Sequence, residues 1–293
     1  QVEVDKQQTN LDRFELFFPE RRQFFLENED LFNNLGMDRI RPFFSRRIGL
    51  TSPIGYGARL SGKLNENLRI GAMHIKTNDI DNLNQIHQHF SVLTLQQKVF
   101  SRSNITGVFI NKEYNNSESF NRNFGLEYNL ASKNNFLRGK FMLYHSLSEE
   151  KYKDNNMYAA SLTYNDRKWN INTRFEKAGN GYNAEDGFIQ RVNYKRLSAD
   201  VAHTFYPKKS IFLSHTPGAF VFGYFDENNI GIENTAGVTY NIELRTRALI
   251  WIYAAKDYIK LQTDFDPTNL TGIKLGKGSV HHWSSTGFTY TSK

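Results

Sequence analysis

The sequence contains no cysteine. It therefore has no disulfide framework, no thiolate ligand for zinc or an iron–sulfur cluster, and no cysteine nucleophile. Long hydrophobic runs are missing too, since the longest purely apolar stretch covers residues 248–255. A membrane-spanning helix needs about 20 consecutive apolar residues. The sequence thus excludes a disulfide-rich fold and a helical membrane anchor within these 293 residues.

A large excess of one charge is also absent. The chain has 37 basic and 30 acidic residues and a formal net charge of +7, which is mildly basic. Its Lys and Arg residues do not interleave with aromatic residues as they do on a nucleic-acid-binding face, so we predict no nucleic-acid partner. There is no glycine-rich phosphate loop, serine elbow or HExxH motif. We therefore predict no cofactor and no metal site.

What the sequence does have is an alternation of apolar and polar residues with a period of two. In residues 120–130 the even positions are mostly apolar, for example Phe124, Leu126 and Tyr128, and the odd positions are mostly Asn and Glu. Residues 168–176 and 232–244 alternate in the same way. This period is typical of β-strands with one apolar and one wet face. Each run is long enough, at about 9 to 11 residues, to cross a bilayer as a tilted strand.

The alternation predicts about 14 antiparallel strands. We place them near residues 41–48, 54–64, 67–77, 89–101, 104–113, 120–131, 136–147, 157–165, 168–177, 190–205, 210–225, 230–244, 246–261 and 280–291. One helix is expected around residues 22–34. Short turns alternate with longer connections along the chain, as the periplasmic turns and external loops of outer-membrane barrels do.

These features favour an all-β fold, an antiparallel up-and-down transmembrane β-barrel with a short N-terminal helical or plug segment. We expect residues 1–38 to form a periplasmic lead-in and plug, and residues 39–293 to form the barrel domain, incomplete at its C-terminal end. Aromatic residues near strand ends would lie at the membrane interfaces, and we assign Tyr128, Tyr144, Tyr164, Tyr240 and Tyr290 to these positions. The alternative is a large soluble antiparallel sheet with one wet face.

Charged residues lie densely beside aromatic residues in three segments near the N-terminus. The first spans residues 16–28, the second residues 42–50 and the third residues 56–64. Charges of this density cannot face lipid, where Arg at mid-depth costs about 2–4 kcal/mol. We therefore expect them to face a lumen or the periplasm and to pair with one another. These candidate ligand or lumen residues are Glu20, Arg21, Arg22, Glu27, Arg46, Arg47 and Arg59.

The same segments resemble a family of uncharacterised Gram-negative outer-membrane proteins. The matching residues, in order, are Val2-Glu3-Val4-Asp5, Asn10-Leu11-Asp12-Arg13-Phe14, Phe18-Pro19-Glu20-Arg21-Arg22, Phe44-Ser45-Arg46-Arg47-Ile48-Gly49, Glu185-Asp186-Gly187-Phe188 and Phe265-Asp266-Pro267-Thr268. In that family a module similar to family-nine carbohydrate-binding modules precedes a large β-barrel domain of unknown function. The resemblance implies a barrel in the cell outer membrane, and the module has no counterpart in this sequence.

The favoured function is therefore a non-catalytic outer-membrane domain that binds or passes a polar ligand, with a polysaccharide or oligosaccharide as one candidate. The expected partner is outer-membrane lipid. One alternative is a structural subunit of an outer-membrane complex, whose partners would be other envelope proteins. A second alternative is an envelope hydrolase acting on carbohydrate, because Glu27 and Asp30 would share a face of a helix and two carboxylates can cleave glycosides. His87, His89, His281 and His282 form pairs that lack a third metal ligand at useful spacing.

Overall fold

The computed structural model describes residues 16–79, 87–115, 119–150, 153–266, 268, 272 and 274–292. Almost all of its regular structure is β-strand. The helical elements are α1 (Gln23–Leu26) and two 3-10 turns, Glu29–Leu31 and Ser45–Arg47. The strands are β1 (Ile40–Arg41), β2 (Ile54–Lys63), β3 (Leu68–Thr77), β4 (Gln88–Val99), β5 (Ser103–Tyr114), β6 (Phe120–Ala131), β7 (Leu137–Ser148), β8 (Asn156–Asn165), β9 (Trp169–Ala178), β10 (Phe188–Ile189), β11 (Tyr194–His203), β12 (Phe212–Phe225), β13 (Gly231–Leu244), β14 (Leu249–Lys260) and β15 (Val280–Thr291).

Thirteen of these strands form one sheet. Its order is β15-β14-β13-β12-β11-β9-β8-β7-β6-β5-β4-β3-β2, and β1 and β10 form a separate antiparallel pair. Consecutive strands are neighbours and run antiparallel, so the predicted meander is confirmed. In the described residues the order ends at β2 and β15, which are not paired with each other. The described residues therefore have an all-β fold built around one antiparallel sheet.

Two of the expected elements are wrong. The strand expected over residues 41–48 is not formed, because only Ile40 and Arg41 are extended and paired, and a 3-10 turn follows at Ser45–Arg47. The helix expected over residues 22–34 is a four-residue α-helix followed by a 3-10 turn. Asn28 lies between them with a φ of 43°, a left-handed conformation that ends an α-helix. The motifs at residues 2–5 and 10–14, and Pro267, lie outside the described residues.

Internal contacts divide the chain into two compact units. Unit 1 comprises residues 1–130, 140–158 and 178–192, and unit 2 comprises residues 131–139, 159–177 and 193–293. No helix among the described residues is long and apolar enough to span a membrane.

On β6 of unit 1 the polarity of the two faces is the reverse of that in a soluble sheet. On β6, Leu126 is 55% exposed and its neighbour Glu127 is 1% exposed. Asn121 and Asn123 lie on the same face as Glu127 and are also buried, whereas Phe124 lies beside Leu126 and is exposed. On β6 the polar face is therefore covered and the apolar face is open, whereas the covered face of β3 to β5 also buries apolar side chains such as Met73, Phe90 and Val108.

The polar face of unit 1 is covered by the N-terminal segment, defined here as the described residues 16–53. This segment supplies nine of the buried apolar side chains of the unit, which are Phe25, Leu31, Phe32, Leu35, Met37, Ile40, Phe43, Phe44 and Ile48. The ring of Phe32 lies so close to Gly71 on β3 that a Cβ atom there would be 2.8 Å from its Cζ atom. Gly71 is therefore required for the close approach of the segment to the sheet.

In unit 2 the two faces of β12 to β15 also differ in composition. One face carries Val221, Val238, Ile252 and Phe288, all exposed. The register places Ile252 opposite Phe288 and Tyr240, so these side chains form a continuous apolar surface. The opposite face carries Thr235, Thr239, Asn241 and Asp257 together with Trp251 and Tyr253, whose rings stack 4.8 Å apart. Both units thus present an apolar face to their surroundings.

Replacing Gly71 with Leu should displace the N-terminal segment, because the new side chain would overlap the ring of Phe32. We expect faster proteolytic release of the segment and a loss of about 1–3 kcal/mol of stability. Limited proteolysis and thermal unfolding measure both effects. Gly62→Leu is the matched control, because no atom lies within 4 Å of a Cβ at that position on β2. Equal effects of the two substitutions would contradict the contact.

Candidate functional site

The first group of candidate residues forms a cluster around Glu20. Its carboxylate accepts hydrogen bonds from Arg22 Nη2 at 2.7 Å and Nε at 2.9 Å and from Ser45 Oγ at 2.6 Å. The backbone N–H groups of Arg21 and Arg22 both donate to Oε1 at 3.0 Å. Arg22 also donates to the carbonyls of Ser45 and Ile48 at 2.8 Å. This cluster closes a loop between the two ends of the N-terminal segment.

The electrostatics of Glu20 follow from these contacts. Burial alone would raise the pKa of Glu20, but the hydrogen bonds from Arg22 and Ser45 outweigh it and lower the pKa to about 2. The carboxylate is therefore ionised throughout the physiological range. Five hydrogen bonds, from Arg22, Ser45 and two backbone N–H groups, occupy its carboxylate oxygens, which fits an anchoring role.

Three other candidate residues, Arg46, Arg47 and Arg59, donate hydrogen bonds to backbone carbonyls. Arg46 donates to the Pro19 carbonyl at 3.1 Å, and Arg47 donates to the Gly187 carbonyl at 2.9 Å. Arg59 on β2 donates to the Phe24 carbonyl at 2.7 Å, and its guanidinium lies 4.6 Å from the centroid of the Phe32 ring. Its Nε and Nη2 atoms are buried with no partner among the described residues. Glu27 is exposed and lies close enough to Arg59 to act on its charge. The contacts of Arg59 hold the segment against the sheet, and that of Arg47 joins it to the loop before β10.

Sequence reasoning missed the most buried ionic centre of unit 1, which is Glu127 on β6. Its Oε1 atom accepts hydrogen bonds from the Gly36 N–H at 2.6 Å and from the Tyr144 hydroxyl at 2.8 Å. Its Oε2 atom lies 2.9 Å from Nζ of Lys140, which also donates to the Asn34 and Gly36 carbonyls. The expected interfacial position of Tyr144 is wrong, because this side chain is fully buried on the polar face.

A second ion pair joins the segment to β3. Arg69 donates two hydrogen bonds to Asp30, of 2.6 and 3.1 Å, and a third to Gln96 Oε1 at 3.1 Å. A cavity of about 480 Å³ lies between this pair and the Glu127 centre. Most of its lining is polar, including Asp30, Arg69, Gln96, Asn104, Asn129 and Lys140. None of the seven residues proposed from the sequence lines it.

Asp186 is the second buried carboxyl group that sequence reasoning did not single out, although it lies in one of the quoted motifs. Its side chain is 1% exposed, and neither carboxyl oxygen has a hydrogen-bond partner among the described residues. Burial raises the pKa of Asp186 to about 7, and the nearby charges of Lys112 and Arg47 oppose that shift. Its backbone carbonyl accepts a 2.6 Å hydrogen bond from the Phe44 N–H, which fixes this loop to the N-terminal segment.

The fold places His74 next to the pair His87 and His89, a proximity that spacing along the sequence could not show. His74 on β3 lies beside His89 on β4, with ring centroids 5.6 Å apart, and His87 lies 5.4 Å from His89. His87 Nδ1 is hydrogen-bonded to Asp79 at 2.9 Å. Among the residues that the structure describes, however, no group of three or more His, Asp or Glu side chains is placed to hold a metal ion.

Glu20→Gln should destabilise the docked N-terminal segment by about 1–3 kcal/mol, because the ionised hydrogen bonds with Arg22 are lost. The folded-state pKa is about 2 against an ordinary value of 4.5. The stabilisation by Glu20 is therefore complete above pH 4.5 and is lost as the pH falls towards 2. Thermal unfolding of both proteins across this range measures the difference. Glu66→Gln in the exposed β2–β3 turn should show none.

Asp186→Asn should change the pH dependence of stability in the opposite direction. The folded-state pKa is about 7 against an ordinary value of 3.8, so the wild-type protein loses stability as the pH rises between these values. The Asn variant lacks this titration, so its advantage over wild type should grow by up to about 1.4 kcal/mol per pH unit. Chemical unfolding at several pH values measures the trend. A difference that stays constant would contradict a buried neutral Asp186.

Comparison with known protein families matches residues 1–81 to the family described as "Domain of unknown function (DUF5916)". The match covers the N-terminal segment together with β2 and β3, the strands that it contacts through Arg59 and Arg69. The resemblance to an uncharacterised family is confirmed to this extent. A search of curated proteins finds no match to the chain, and a search of solved structures finds none either.

Proposed function

We propose that this protein is a domain of the outer membrane, that its sheet forms the wall of a transmembrane β-barrel, and that it binds a polar ligand beside the docked N-terminal segment. The observation that carries the proposal is the reversed polarity of β6 together with the apolar open face of its neighbours β4 and β5. A soluble sheet buries its apolar face, whereas unit 1 buries Asn121, Asn123 and Glu127 and exposes Phe124 and Leu126. Lipid is the surrounding that makes this arrangement favourable.

The open face of unit 1 has the composition that lipid contact requires. The register aligns Leu93, Phe109 and Phe124 in one row and Leu95, Gly107 and Leu126 in the next. Beyond the first row lie Ser91, Asn111 and Arg122, and Arg122 pairs with Glu113 at 2.8 Å. An uncharged band with charged residues at its border is the pattern of a lipid-facing barrel wall.

Tyr128 and Phe141 support the same interpretation. Their rings stack with centroids 6.1 Å apart on the apolar face of β6 and β7, one row beyond Leu126. Aromatic residues concentrate at this level in outer-membrane barrels, because they suit the boundary between acyl chains and water. In a barrel every strand edge is paired, which would also satisfy the backbone groups of β2 and β15.

The polar-ligand part of the proposal depends on the cavity between the segment and the sheet. Its volume of about 480 Å³ falls within the 300–1,000 Å³ range of small-molecule sites. Its walls carry amide, hydroxyl and charged groups, which a ligand with hydrogen-bonding groups would contact. The segment contacts the sheet through the Glu127 centre and through the Asp30–Arg69 pair, so the ligand site lies on the covered side of the wall.

Leu126→Arg separates the membrane and soluble alternatives. Leu126 is exposed, so in water the substitution should be nearly neutral, whereas on a lipid-facing wall it should cost about 2–4 kcal/mol. We expect the wild-type protein to require detergent, to show heat-modifiable gel mobility, and to insert into vesicles better than the variant. Leu64→Arg, at an equally exposed position in the β2–β3 turn, is the matched control. A wild-type protein that is stable without detergent would contradict the barrel.

A further inference from the structure

The chemical class of the ligand follows from the charges around the cavity beside Leu31 and Leu35. Arg69 is engaged by both carboxylate oxygens of Asp30, and Lys140 is engaged by Glu127. Each cation is thus neutralised by a carboxylate within 2.6 to 2.9 Å. A charged ligand would compete with these pairs, and displacing Lys140 from Glu127 would leave a buried carboxylate without its partner, which is costly. The cavity therefore favours a ligand without net charge.

The uncharged polar side chains of the cavity have capacity left for a ligand. Asn104 Oδ1 accepts from Asn129 Nδ2 at 2.9 Å and from Thr106 at 3.3 Å. Gln96 Nε2 donates to Thr106 at 3.4 Å, which is a long and weak hydrogen bond. Each primary amide offers two N–H donors and two lone pairs, so these contacts leave several groups unused. Hydroxyl groups, which donate and accept at the same atom, are matched to such a surface.

The cavity also has an apolar part. Leu31 and Leu35 line it, and both are buried parts of the N-terminal segment. A ligand that fills it should therefore combine hydroxyl groups with a C–H surface. Its volume of about 480 Å³ suits a molecule of one or two sugar rings better than an extended polymer.

We propose that the cavity between residues 30–35 and the polar face of β3 to β7 binds a neutral polyhydroxylated molecule of monosaccharide or disaccharide size. This inference rests on the proposed function, because it names the ligand class of the same cavity. Asn104, Asn129 and Gln96 supply the hydrogen bonds, and Leu31 and Leu35 contact the C–H face of the ligand. The Asp30–Arg69 and Glu127–Lys140 pairs stay intact and exclude ions.

The absence of native cysteine makes a direct test available. Asn34 is exposed at the border of the cavity, and its side chain is not among the groups assigned to the ligand. Asn34→Cys therefore places a single thiol there, and its rate of alkylation by N-ethylmaleimide reports access. The probes are glucose, maltose and cellobiose at millimolar concentrations, with citrate and spermidine as charged probes. Asn241→Cys, on exposed β13 of unit 2, is the matched control.

We expect at least one of the three sugars to slow alkylation of Asn34→Cys several-fold and to leave Asn241→Cys unchanged. Adding Asn129→Leu should abolish this protection, measured against the alkylation rate of the same double variant without sugar. Protection by citrate or spermidine alone, protection that survives Asn129→Leu, or no protection by any sugar would overturn the inference. Heat-modifiable mobility of the same samples reports membrane insertion separately, so failure of the ligand class and failure of the proposed function are distinguishable.

Discussion

Glu127 is a carboxylate buried in unit 1, and a buried charge is tolerated only when it is paired and hydrogen-bonded. Its three partners come from different parts of the chain: the backbone of Gly36, the hydroxyl of Tyr144 and the ammonium group of Lys140. Lys140 in turn binds two carbonyls of the N-terminal segment. The docking of the segment, the cover of the polar face and the cavity beside it all depend on this centre.

This centre explains part of the unusual polarity of β6. Glu127 has partners in the N-terminal segment and on β7, while Asn121 and Asn123 donate to the Asn183 carbonyl, so none of the three is exposed to solvent. The apolar side chains of the same strands then have no protein to cover them in unit 1. Composition averaged over the chain hides this division, because a mean hydropathy of −0.59 sums two opposed faces. Sorting the residues of each strand into odd and even positions separates the two faces, because successive side chains point to opposite faces.

The strands could be predicted from the sequence because the period of two is a local property. The pattern gave β15 its observed bounds and most other strands theirs to within a few residues. It failed at residues 41–48, where Ile40 and Arg41 pair with Ile189 and Phe188, a partner far along the chain. In the same stretch, the turn at Ser45–Arg47 is fixed by Arg22, which donates to the Ser45 carbonyl. No local pattern carries these contacts.

The candidate site was predicted only in part for the same reason. The segments rich in charge and aromatic residues do contain groups that hold the N-terminal segment, because Glu20, Arg22 and Arg46 make contacts within it and Arg59 joins it to β2. The cavity, however, is built from pairs that are remote in sequence, such as Asp30 with Arg69. In the sequence, Glu127 is one of several polar residues at alternate positions of β6. Nothing in a strand pattern distinguishes a carboxylate that faces water from one that faces Gly36 and Lys140.

The Glu20 cluster and the Glu127 centre connect different parts of the structure, and this difference favours ligand binding over solute passage. The Glu20 cluster connects parts of the segment to each other, so it does not have to open for the segment to leave the sheet. The Glu127 centre joins the segment to β6 and β7 through the Gly36 N–H and the carbonyls of Asn34 and Gly36, and leaving a buried group without such a hydrogen bond costs about 1–3 kcal/mol. Undocking would also expose Phe32 and Ile40. Passage of a solute through the space that the segment fills requires this cost for each opening, whereas a ligand in the existing cavity leaves both pairs in place.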